Sequence, residues 1–190
     1  MPRRFFALIL PVAALTGFAL EVVKGNSGDP FRAAVGNMSA PWLVFALVGG
    51  FVATSAFRGA VLGLLTTLVA LAGFYLGAVV VFGGHLGDQT GSFVHDFMFI
   101  ATANKVWFLL GLVSGPIFGA LGGVLRRPLH LAFVAGALLV LEPIVVMTLR
   151  ERQLPLIGVW AVDSVPARLL EIGLGLLVLA VASRSRMRST

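Results

Sequence analysis

The chain has 190 residues, 58% hydrophobic and 12% charged, with a mean hydropathy of +1.01 and a formal net charge of +6. A soluble domain carries roughly twice that share of charge, so a water-soluble globule is excluded, and apolar runs long enough to span a bilayer recur along the whole length. Cysteine is absent, which removes disulfides, thiolate catalysis and Cys-ligated metal clusters, and the basic residues sit at the ends of apolar runs rather than in the stripe that nucleic acid requires.

The first apolar run, residues 5–23, follows Arg3 and Arg4; it continues too far for a signal peptide and is read as an uncleaved span. The turn formers from Lys24 to Arg32 then read as a loop. A second span is expected over 41–56 and a third over 59–83, with Phe57 and Arg58 forming a tight connection. Residues 84–105 read as a polar outer loop, in which Phe93, Phe97, Met98 and Ile100 are spaced as one face of an interfacial helix. Spans four to six are expected over 106–125, 128–149 and 167–182, the fifth opening on Pro128, a residue suited to the first turn. The fold class is therefore an all-α integral membrane bundle of six transmembrane helices in a single domain.

Lysine and arginine near span ends are retained in the cytoplasm. With the amino terminus inside, Arg3, Arg4, Arg58, Arg126, Arg127, Arg184, Arg186 and Arg188 share the inner side without an acidic residue, whereas Asp29, Asp88, Asp96, Glu151 and Asp163 lie outside. Trp42, Trp107 and Trp160 also fall on the outer side, as interfacial tryptophans do. Both termini are thus expected in the cytoplasm. The preference for Arg over Lys and the wealth of Ala, Gly, Val and Leu suggest a GC-rich bacterial source, and hence a multi-pass protein of the bacterial plasma (inner) membrane.

Gly111, Gly115, Gly119 and Gly123 recur every four residues and share one face of the fourth span, the usual signature of close helix packing in lipid. That face serves internal packing or a seam with another membrane subunit or a second copy of the chain. Pro116, within the run, is expected to kink the helix or free a carbonyl. Glu21, Glu142 and Glu171 lie within or at the margin of apolar spans and map to the outer half of the membrane. Carboxylates there are costly unless they face the protein interior, so they are candidate solute ligands, with Arg168 beside them; the competing reading is structural pairing, with Arg32 or Arg168 as partner.

His85, Asp88, His95 and Asp96 could ligate metal, but their spacing matches no closed ligand set, so neither metal nor cofactor is expected. His130 stands alone near the inner end of the fifth span, and no Walker loop, His-Glu-x-x-His or Gly-x-Ser-x-Gly is present, so the chain is not expected to be an enzyme.

The stretch from Val106 to Arg127, with its glycine ladder and Pro116, together with Glu142-Pro143, resembles an uncharacterised family of small actinobacterial polytopic membrane proteins. In architecture alone, the six expected spans with outer-half charges are similar to the S components of energy-coupling-factor transporters, which bind solutes from outside. That likeness implies a solute site open to the outer side; the intramembrane carboxylates Glu142, Glu171 and Glu21, at one expected depth, together with Arg168, are the residues expected to line it. The alternative is a non-transporting accessory or scaffold subunit packing through the glycine face. The expected partners are the lipid bilayer, an unidentified small solute and, in the second reading, another membrane subunit or homo-oligomer; nucleic acid is not among them.

Overall fold

A computed structural model describes residues 4–25, 28–53, 55–82, 92–125, 127–151 and 164–187. Among them all regular structure is helical: α1 (Arg4–Lys24), α2 (Pro30–Gly36), α3 (Ala40–Ala53), α4 (Ala56–Phe82), α5 (Phe93–Ala103), α6 (Lys105–Val124), α7 (Pro128–Glu151) and α8 (Val165–Met187). Five stretches are long and apolar enough to cross a membrane: Pro30–Ala53, which joins α2 to α3, then Ala56–Phe82, Lys105–Val124, Pro128–Thr148 and Val165–Ser185. In lipid every backbone polar group needs an internal partner, which leaves the helix as the form such runs adopt.

The region read as a first loop is partly helical. Asp29 accepts the Phe31 N–H at 2.9 Å, and Pro30 stands at the first helical position, so the Asp-Pro pair starts α2 instead of only turning the chain. The second span ends at Ala53, and Phe57 and Arg58, expected to connect two spans, lie in the first turn of α4. Helices α1, α6 and α7 continue through Pro11, Pro116 and Pro143.

Helix α4 is the hub, packed against α1, α3, α5 and α6. Small residues make this possible on two of its faces. Gly59 and Gly63 meet the backbone of α6 at Gly115, Gly119 and Gly123, and Gly73 and Gly77 meet α1 at Ala14, Phe18 and Glu21. No apolar drive pairs helices inside lipid, so this backbone-to-backbone contact is the main source of cohesion. Thr66 and Thr67 on α4 turn their hydroxyls back to the Gly63 carbonyl at 3.0 and 2.9 Å, which satisfies polar atoms that the membrane could not.

The glycine ladder of α6 is consumed inside the chain. Gly111 faces Thr67 and Leu71, Gly115 and Gly119 face α4, Gly119 also meets Gly50 of α3, Gly122 meets Leu47, and Gly123 meets Ser55. The surface that a scaffold subunit would use is thus already covered by α3 and α4.

Helices α7 and α8 pair around Gly136 and Gly175, and reach the rest of the bundle mainly through α3 and α2. On α5 Ile100 is buried and Phe97 packs beside Tyr75, while Phe93 and Met98 are exposed. Their spacing was helical, yet α4 accepts only the Phe97–Ile100–Ala101 side.

Candidate buried carboxyl pair and adjoining cleft

Glu142 lies six residues beyond Gly136 on α7, and Glu171 four residues before Gly175 on α8. Because the two helices run antiparallel from that close crossing, both side chains arrive at the same level, about one to two turns away. The Glu171 carboxyl stands within hydrogen-bonding reach of the Glu142 carboxyl. Glu171 is 4% exposed. Glu142 Oε1 accepts the Ser39 backbone N–H at 2.6 Å. Ser39 caps α3, its carbonyl accepting from Trp42 at 3.1 Å and Leu43 at 3.3 Å, so the carboxylate also lies at the positive end of that helix.

Glu142 Oε2 and Glu171 Oε1 are buried and accept no hydrogen bond from the described residues. Ionised carboxylates only accept, so a bond between these two groups needs a proton on one of them, or a donor brought from outside the chain. Arg168 is one turn before Glu171 and half-buried.

Glu21 does not join the pair. It is 1% exposed, and Lys24, one turn on, holds both carboxylate oxygens at 3.2 and 3.1 Å. The Lys24 Nζ also stands 5.0 Å from the centre of the Phe74 ring. The spacing of three residues made this pairing legible in the sequence. Arg32, the partner considered for Glu21, instead donates to the Val23 carbonyl at 2.7 Å and so caps α1.

Ser39 has a second role, because it borders a cleft of about 330 Å³ lined by the end of α2, α3, α4 and α6. Helices α3 and α6 touch at Gly50–Gly119 and Leu47–Gly122 and separate toward Ser39 and Trp107, with α4 as the floor between them. Trp42, Phe74, Tyr75 and Trp107 line its end near Ser39. Trp42 packs edge-on to Phe74, with ring centres 5.5 Å apart, and the Tyr75 hydroxyl donates to the Asn104 carbonyl at 3.2 Å. The sequence marked the two tryptophans as interfacial anchors; that they face one another across a cleft was not readable from it.

Among the described residues no group of three or more His, Asp or Glu side chains could hold a metal ion. His95 is exposed on α5 and His130 on α7, whereas His85 and Asp88 lie outside the described residues. No protein-family model, curated protein or solved structure matches the chain.

Proposed function

We propose that the chain is a six-span protein of the bacterial plasma membrane, with α1 as the additional span and both termini cytoplasmic, that binds or conducts a small solute through a site open to the outer side. The observation that carries this reading is the meeting of Glu142 and Glu171, brought together from α7 and α8 against the start of α3, with two buried oxygens that accept no hydrogen bond from the described residues. Burying carboxyl groups without full hydrogen bonding is destabilising. A solute that carries positive charge or hydrogen-bond donors would relieve that cost. The scaffold reading is weaker, since its glycine face is occupied by α3 and α4.

The test is a melting screen of the detergent-purified protein against monovalent cations, small primary amines and choline. A ligand at a hundred times its Kd raises stability by about 2.7 kcal/mol. At least one probe should raise the melting temperature of the wild type and lose that effect in both Glu142→Gln and Glu171→Gln. No response from the wild type, or an equal response in both variants, overturns the carboxyl pair as a solute site.

A further inference from the structure

We propose that the cleft between α3 and α6 binds an uncharged amphiphile drawn sideways from the bilayer, of the class of a long-chain alcohol or a similarly headed neutral lipid. This inference rests on residues other than the carboxyl pair and stands apart from the solute reading above. Among the described residues none that lines the cavity is charged; Lys24 and Glu21 lie close by and are satisfied by each other, and the Glu142 carboxylate meets the rim through the Ser39 N–H. An ion in the body of this space would meet no charged side chain of the described lining, and a charged headgroup would be poorly solvated there.

Water is an equally poor occupant. By its share of liquid volume, roughly 30 Å³ each, about eleven waters would fill 330 Å³. Each needs two to four polar partners, but the lining is mostly aliphatic and aromatic, and the Tyr75 and Thr67 hydroxyls are already donated to Asn104 and Gly63. Of the remaining polar side chains, Asn37 and Ser39 gather at one end and Ser114 stands on the α6 wall. The cavity therefore has one weakly polar end and a mainly apolar body, which is the form of a neutral amphiphile.

Access follows from the helical positions on α6. From Gly111, which faces α4, the lining passes through Ser114 and Leu110 to Val113, an arc of roughly half the helix circumference. Leu110, Val113 and Ile117 are 51%, 61% and 59% exposed, so the same wall is shared by the cleft and the lipid-facing surface. Among the described residues none of α5, α7 or α8 lines the cavity. The mouth opens to hydrocarbon, and a ligand reaches it from the membrane phase.

Trp42 and Trp107, two of the three tryptophans in the chain, line the cleft, so Trp160→Phe leaves a fluorescence signal that reports on it alone. In nanodiscs, a dibrominated octadecanol should quench this signal saturably and be displaced by unbrominated octadecanol. Ser114→Leu and Val113→Phe, which narrow the cleft, should weaken half-saturation by roughly tenfold or more; Val124→Phe, exposed elsewhere on α6, should not. Unchanged melting and gel-filtration behaviour identifies variants that remain folded. Quenching that rises linearly with bromolipid fraction, or that is equal in the three variants, overturns the site. Quenching as strong by the corresponding carboxylate or quaternary ammonium overturns its neutrality. Loss of cation response with retained octadecanol quenching removes only the solute reading, and the reverse removes only this one.

Discussion

Glu142 on α7 accepts the backbone N–H of Ser39 at 2.6 Å, across 103 positions of sequence. This single bond ties the α7–α8 pair to the start of α3, and it couples the carboxyl pair to the rim of the cleft. Replacing Glu142 by Gln keeps a carbonyl that can accept the Ser39 N–H, whereas Ala leaves that donor without its partner. Glu142→Ala should therefore lower stability by about 1–3 kcal/mol relative to Glu142→Gln. Thermal unfolding in detergent measures the difference; equal melting temperatures would remove the bond from the account.

The glycines provide a paired test of packing. A Cβ at Gly119 would collide with the Gly59 carbonyl, which is backbone and cannot swing aside, while one at Gly173 on α8 meets nothing within 4 Å. Gly119→Ala should sharply reduce the yield of monodisperse protein. Gly173→Ala should be neutral or stabilising by up to about 1 kcal/mol, the ordinary helical preference for alanine. Comparable losses in both would mean that α6 does not lie on α4 as described.

Glu21 and Lys24 form a pair with one member buried and the other 26% exposed. Lys24→Met strands the carboxylate and should cost about 3 kcal/mol, the lower end for a broken buried pair. Combining it with Glu21→Leu should recover much of that loss, because removing both charges is far less harmful than removing one. A double variant as unstable as the single one would assign Glu21 a role beyond pairing.

Absence of cysteine makes the proposed sidedness directly testable. Ser185→Cys and Arg58→Cys should be protected from a membrane-impermeant maleimide in intact cells, while His95→Cys should react. Labelling of Ser185→Cys from outside would exclude six spans with cytoplasmic ends.

Tyr75→Phe removes the hydroxyl that reaches Asn104, where α5 meets α6. The expected loss is about 0.5–1.5 kcal/mol, with faster hydrogen exchange confined to α5. Uniform acceleration through α4 and α6 would show that the hydroxyl supports the whole hub.

What the sequence determined by itself was the solvent and the segments: hydropathy placed the long helices within a few residues, since apolar runs in lipid have no other satisfied backbone form. It also singled out Glu142 and Glu171, because an acidic residue in such a run stands out by cost alone. Lys24 was within reach by spacing, and the Asp29-Pro30 start of α2 by capping chemistry, though neither was read. Only the tertiary structure decided which carboxylates meet, that the α6 glycines are spent on α3 and α4, and that α3 and α6 part to leave a cleft. Hydropathy is a property of one segment at a time. Crossing angles, by contrast, arise where glycines far apart in the chain, such as Gly50 with Gly119 and Gly136 with Gly175, allow two backbones to touch.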